Sequence, residues 1–140
     1  PFLMSKHALP SMLAQQSGRI INIASVHGKL ASPYKSAYIA AKHGLIGFTR
    51  ALALEIANQG ITANALLPGA VRTSLVENQL PLLAAQDGIS EEEALHRHIL
   101  ARQPMKRLLE PGEIGDSAVF LASHAARAIT GESLSVSGGW

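Results

Sequence analysis

Two short apolar runs separated by one long proline-free stretch constrain this chain more than any other feature. Arg19-Ile-Ile-Asn-Ile-Ala24 and Ile61 to Leu67 are each a strand's length, rich in apolar and β-branched residues, and lack the alternation of a half-exposed strand. Such runs are covered on both faces, the situation of a parallel sheet with helices above and below it. Between them, Tyr34 to Asn58 contains no proline, and Ala37, Ala40, Ala41, Gly44, Gly47 and Ala51 recur three or four apart. That spacing is one smooth face of a long helix, which Gly60 would terminate. A strand, a helix and a second strand in this order predict α/β architecture with a parallel sheet.

The remaining segments extend the pattern. Phe2 to Gln16 has helical composition despite Pro10, and Ser17-Gly18 ends it. Ser25 to Pro33 reads as a loop. Pro68-Gly69 closes the second strand, because proline cannot donate to a central ladder. Ala70 to Ile89 is less regular and is expected to form a mobile lobe. Ser90 with Glu93 three residues later predicts a capped helix through about Arg102. Glu110-Pro111 opens another helix with proline in its first turn, and Leu134 to Val136 is a last short strand after the Gly131 turn. No internal repeat, linker or low-complexity segment interrupts the chain, and 140 residues correspond to one domain.

Composition excludes several kinds of chemistry. Hydrophobic residues make up 47% of the chain, enough for a core without a disulfide or metal staple. Cysteine is absent, which removes thiol catalysis, cysteine-ligated zinc and iron–sulfur clusters, and is compatible with a cytoplasmic setting. No apolar run approaches the roughly 18 to 20 residues that span a bilayer, so no membrane partner is expected. His96 and His98 are two apart, a poor metal spacing on a helix, and no metal site is expected.

Charge is unevenly spread. Residues 1 to 54 contain Lys6, Arg19, Lys29, Lys35, Lys42 and Arg50 without one acid, whereas the rest carries ten acids against six bases. These bases are scattered singly and aromatics are only 4% of the chain, which argues against nucleic acid. A field of this sign suits a small anionic ligand. Acids elsewhere in an assembly could equally balance it.

The chemistry concentrates on three residues. Tyr38 and Lys42 lie four apart in the predicted long helix and share a face. A phenol is a weak base at neutral pH, but a neighbouring cation favours its ionised form, so Lys42 can make Tyr38 a usable acid/base. Ser25 stands at the carboxyl end of the first strand, where open α/β sheets place ligands, and its hydroxyl can bind the oxygen that Tyr38 protonates. Tyr-x-x-x-Lys alone is a weak signal, strengthened by the preceding strand, by the serine thirteen residues before the tyrosine, and by Pro68-Gly69.

Asn22-Ile-Ala-Ser25, Tyr38-Ile-Ala-Ala-Lys42, Asn64-Ala-Leu-Leu-Pro-Gly69 and Gly138-Gly139 together resemble the short-chain dehydrogenase/reductase family over essentially the whole chain. Within it, Ile23 to Gly28 and Ala31 to Tyr38 are most similar to the D-3-hydroxybutyrate dehydrogenases. The resemblance implies a Rossmann-like, doubly wound parallel sheet and hydride transfer between NAD, with NADP not excluded, and a short 3-hydroxy acid. It implies catalytic roles for Ser25, Tyr38 and Lys42, with Tyr38 as acid/base and Lys42 also donating to the nicotinamide ribose. Pro68, Gly69, Val71 and Thr73 fall at cofactor-binding positions. His27, Lys35 and Gln79 match residues that grip the substrate carboxylate. One departure is Ala70, where the hydroxybutyrate enzymes tend to carry an aromatic; a roomier pocket is expected.

The family's opening strand and glycine-rich turn, which hold the pyrophosphate, have no counterpart in these residues. The chain is therefore expected to be the carboxyl-terminal catalytic half of one dehydrogenase domain, covering residues 1 to 140, and not competent alone. Its first strand would then present an apolar edge that either a longer parent or a second copy must cover. The resemblance implies a homo-oligomer, commonly a tetramer. Two rival expectations are a reductase of another small alcohol, sugar or acyl group, and a truncated, non-catalytic oligomerisation fragment.

Overall fold

The computed structural model describes residues 1–140. Its centre is a three-stranded parallel sheet in the order β1 (Gly18–Ile23), β2 (Ile61–Pro68), β3 (Ser133–Val136). Gly18 pairs with Ile61 and Ile23 with Leu66, and on the other side Ala65 pairs with Ser133 and Pro68 with Val136. β2 is central and buried from Ile61 to Leu67, Thr62 and Asn64 included, as a strand covered on both faces must be. β1 pairs along one edge only, and Ile23 is half-exposed.

Side chains alternate between the two faces of the sheet. On one face, Ile20, Ile61 and Ala63 pack with Leu52, Ala53 and Ile56 of α2 (Ser36–Ile56), and with Leu9 and Met12 of α1 (Phe2–Gln15). On the other, Ile21 and Leu66 meet Ile114, Ala118 and Leu121 of α6 (Pro111–Ala122). The apolar stripes of the helices thus match the two-sided burial of the strands. The small residues Ala37, Ala40, Ala41, Gly44, Gly47 and Ala51 lie on the exposed side of α2.

One buried polar contact fixes α2 on the sheet, and a second, within the helix, orients it. Asn22 donates to the Thr49 hydroxyl at 2.9 Å, and Thr49 donates to the Leu45 carbonyl at 2.7 Å. On the other face Asn64 donates to the Ile129 carbonyl at 2.8 Å and accepts from the Glu132 amide at 3.0 Å, guiding the chain into β3. Both asparagines interrupt otherwise apolar strands and satisfy main-chain or hydroxyl partners that burial would leave orphaned.

The long helix begins at Ser36 rather than Tyr34, because Tyr34 holds a left-handed backbone with φ 64. The segment expected to be irregular contains two short helices, α3 (Ser74–Glu77) and α4 (Leu80–Asp87), the second with Pro81 in its first turn and Gly88 as a left-handed cap. Ser90 accepts from the Glu93 amide at 3.2 Å and starts α5 (Glu91–Ala94). That helix does not run to Arg102. It widens into a π-turn over Leu95–Ile99 and stops, leaving Leu100 and Gln103 buried. Ala70, Leu100 and Leu108, backed by Val76, Leu95 and Ile99, form a separate core for this lobe. No helix is long and apolar enough to cross a membrane.

Candidate active site

A cavity of about 870 Å³ opens where the carboxyl ends of β1 and β2 meet the lobe. Ser25 reaches it because, two residues past the end of β1, its backbone is still extended. Its hydroxyl accepts the His27 amide at 3.1 Å and starts the tight turn Val26–Gly28. The hydroxyl proton of Ser25 therefore remains free to be donated. Gly28 makes the approach to α2 possible: a Cβ there would stand 2.5 Å from Ile46 Cδ1 and 3.0 Å from the Lys42 carbonyl. The turn carrying Ser25 thus lies directly against the helix carrying Tyr38 and Lys42.

Tyr38, half-exposed on the first turns of α2, lines the cavity together with Ser25. The Lys42 ammonium stands 5.6 Å from the centroid of the Tyr38 ring and donates to the Ile23 carbonyl at 3.0 Å. Lys42 is not among the lining residues; it lies behind Tyr38, tied to the end of β1. The three residues singled out for chemistry are therefore brought to one corner of the fold.

His27 is buried, and its ring meets the edges of two aromatics, Tyr38 at 6.0 Å and Trp140 at 5.4 Å between centroids. Burial, followed by the positive charges of Lys35 and Arg102, pushes its pKa below the ordinary histidine value, so the ring is neutral at pH 7. Lys35 and Gln79 also line the cavity, from the residues preceding α2 and α4. His27, Lys35 and Gln79 thus border one space although they come from three separate segments.

The far wall is the turn after β2. Gly69, Ala70, Val71 and Thr73 line the cavity, whereas Pro68 ends the strand and does not. A Cβ on Gly69 would come within 2.6 Å of Gln103 Oε1 and 2.8 Å of the Ser137 backbone. Gln103, wholly buried, accepts the Ala70 amide at 2.8 Å through Oε1 and donates to the Arg107 carbonyl through Nε2. Leu109 completes the brace, its amide donating to the Ala70 carbonyl and its carbonyl accepting the Arg72 amide. Leu75, Val76, Leu83 and Ile99 make the remaining wall apolar. The lobe is tied across this wall by Asp87, which accepts from His98 at 2.9 Å and Arg97 at 3.3 Å. The His98 hydrogen bond is the main reason that the Asp87 carboxyl lies below its usual range.

Trp140, Gln103, Ser32 and Arg102 took no part in the sequence reading of the site. Trp140 had a faint signal, an aromatic after Gly138-Gly139; Gln103 had none, since an isolated glutamine announces no burial. None of the four ion pairs involves a base from residues 1 to 54. The cations of that half have no carboxylate partner within the chain, and Lys35 is one of them.

The donor set fits a nicotinamide nucleotide. Lys42 has N–H groups to spare beyond the one given to Ile23, the Thr73 hydroxyl makes no capping bond, and Ala70 and Val71 offer apolar surface to a ring.

Comparison with known proteins gives consistent findings. A family model described as enoyl-(acyl carrier protein) reductase matches residues 1–140. The chain is 48% identical over 139 residues to D-beta-hydroxybutyrate dehydrogenase of Cupriavidus necator, covering 99% of this chain and 54% of that protein. It is 47% identical to the D-beta-hydroxybutyrate dehydrogenase of Rhizobium meliloti, covering 95% of this chain and 52% of the relative. A solved actinorhodin polyketide ketoreductase with NADPH superposes with a TM-score of 0.83 at 41% identity, covering 91% of this chain and 49% of that one. The chain spans about half the length of the curated relatives it matches.

Proposed function

The chain belongs to the short-chain dehydrogenase/reductase family, and from that premise we propose that the protein carrying it oxidises a short 3-hydroxy acid such as 3-hydroxybutyrate, or reduces the 3-oxo acid. The observation that carries the reading is the shared cavity: Ser25 and Tyr38 face it beside His27, Lys35 and Gln79. One group of residues suits a hydroxyl and the other suits a carboxylate, which together describe a hydroxy acid.

When bound, the nicotinamide supplies the acceptor or donor of the hydride. Gly69, Val71 and Thr73 form the wall against which it would lie, with Pro68 just before them at the end of β2, and Lys42 would donate to its ribose. Ser25 donates a hydrogen bond to the substrate oxygen through its free hydroxyl hydrogen and keeps its proton. Tyr38 takes the proton of the alcohol in oxidation and returns it in reduction. Lys42 holds positive charge beside the phenol, fastened by Ile23. Lys35 contributes the cation of the carboxylate clamp, while His27 and Gln79 contribute neutral donors, so that the hydroxyl-bearing carbon is oriented by the far end of the molecule.

A second reading, reduction of a 3-oxoacyl group, is favoured by the small Ala70 and the apolar wall of Leu75, Leu83 and Ile99. The test is turnover of 3-hydroxybutyrate by the full protein with NAD and with NADP, followed by reduced-nicotinamide absorbance, against a 3-oxoacyl thioester. Turnover of the free acid with a preference over the thioester supports the proposal. Turnover of the thioester alone overturns it in favour of the second reading.

A further inference from the structure

We infer that Ser32 and Arg102 are positioning residues that fix the tautomer of His27, making its ring present an N–H from Nδ1 to the cavity. The inference rests on the reading that His27 faces a substrate carboxylate. It explains how a neutral histidine can serve an anion at all.

Three contacts carry it. His27 Nε2 lies 3.0 Å from the Ser32 hydroxyl oxygen. The Arg102 guanidinium lies 3.5 Å from that same oxygen and 3.4 Å from the Ala31 carbonyl. Arginine can only donate, so it occupies a lone pair of Ser32. Its positive charge also turns the hydroxyl proton away from itself, and the acceptor on the other side is Nε2. An imidazole that accepts at Nε2 and is neutral carries its single proton on Nδ1. Nδ1 makes no hydrogen bond within the protein, while the ring borders the cavity.

The surroundings agree with a neutral ring. The charged groups that bear on it are Lys35 and Arg102, both cations; Tyr38 and Trp140 pack on it edge-on, and no carboxylate pairs with it. With Nδ1–H directed at the cavity, the ring donates to a carboxylate. In the other tautomer it would oppose a lone pair to a negative oxygen. Removing the second-nitrogen partner of a metal-ligating histidine typically costs about 10-fold to 100-fold in affinity or activity, and the same orienting role applies to a histidine that donates to a carboxylate.

The experiment is nitrogen-15 NMR of the full protein labelled at histidine, in the wild type and in Ser32→Ala, Arg102→Met and Arg102→Lys. Ser32 is in a loop and Arg102 is exposed, so these variants keep the fold. The expected result is Nδ1–H in the wild type, a shift of population toward Nε2–H in Ser32→Ala, a smaller shift in Arg102→Met, and recovery in Arg102→Lys. In parallel, Ser32→Ala should raise KM for 3-hydroxybutyrate about tenfold more than it lowers kcat. Nε2–H in the wild type, or an unchanged tautomer in Ser32→Ala, overturns the inference. Failure of the protein to act on 3-hydroxybutyrate would instead defeat the proposed substrate, and the nitrogen shifts would still decide the tautomer.

Discussion

Lys42 and Ile23 are joined by a 3.0 Å hydrogen bond from the lysine ammonium to the last carbonyl of β1. The bond crosses from helix to strand and holds the cation beside the Tyr38 ring, 5.6 Å from its centroid. A flexible lysine stem is thereby fixed at the corner where Ser25 leaves the strand. Replacing Lys42 with Met removes both the charge and the tether. The expected outcome is a fall in kcat/KM of about 100-fold or more, the scale of assisted proton transfer, with unchanged far-ultraviolet circular dichroism. Turnover at half the wild-type rate would show that the cation has no part in the chemistry.

Tyr38→Phe isolates the phenol oxygen. The ring is half-exposed and its edge contact with His27 survives in phenylalanine, so the fold should be indifferent to the change. Loss of the only group assigned to proton exchange should lower kcat by about 100-fold to 10,000-fold. Steady-state kinetics beside a denaturant titration separates the two effects. Undiminished kcat would remove Tyr38 from the mechanism.

His27 gives the folded protein a pH dependence. Burial first, then Lys35 and Arg102, lowers its folded pKa below the ordinary 6.5. The unfolded chain then binds more protons than the folded chain just below pH 6.5, and stability rises with pH in that window. The contribution is fully present above pH 6.5 and is lost as pH falls through the lowered value. Denaturant midpoints of the wild type should therefore fall more steeply below pH 6.5 than those of His27→Gln. Parallel curves would mean that the ring titrates alike in both states.

Glu113 offers an acid-side counterpart. It accepts two 2.7 Å bonds from the Arg107 guanidinium and one from the Glu110 amide at 2.8 Å, and its pKa is lowered to about 2, the Arg107 bond contributing most. Depression of a carboxyl stabilises the fold above pH 4.5 and is lost as pH falls toward 2. A carbon-13 titration of the Glu113 carboxyl should find its midpoint near 2, and Arg107→Met should return it toward 4.5.

The strands were legible because burial on both faces leaves a predominantly apolar run, and Arg19–Ala24 and Ile61–Leu67 each lie within one residue of the observed β1 and β2. Tyr38 and Lys42 were legible because helical spacing alone puts them on one face. The lobe was not. Its helices α3 and α4 are too short to show a period, and their apolar residues are divided between the cavity, which Leu75 and Leu83 line, and the lobe's own small core, which Val76 backs. The only local signs were Pro81 and Gly88, one at each end of α4. Ser32, Arg102 and Gln103 were invisible for another reason: each acts through a contact 5 to 71 residues away in the chain, which no local pattern encodes.

Gln103 shows how such a distant contact governs the cavity wall, and it yields the sharpest stability test. Its carboxamide is wholly buried and both ends are used, Oε1 by the Ala70 amide and Nε2 by the Arg107 carbonyl. Gln103→Leu fills similar space but leaves the buried Ala70 amide without its partner, at a cost of about 1–3 kcal/mol. Gly69→Ala attacks the same brace from the other side, since the new Cβ meets Gln103 Oε1 at 2.6 Å and the Ser137 backbone at 2.8 Å. Backbone yields less readily than a side-chain tip, so the strain should reach about 1–3 kcal/mol. Because both variants disturb one brace, their effects should not add: the double variant should lose less stability than the two single losses together. Urea midpoints of the four proteins decide this, and strict additivity would show that the turn after β2 is held in place by something other than Gln103.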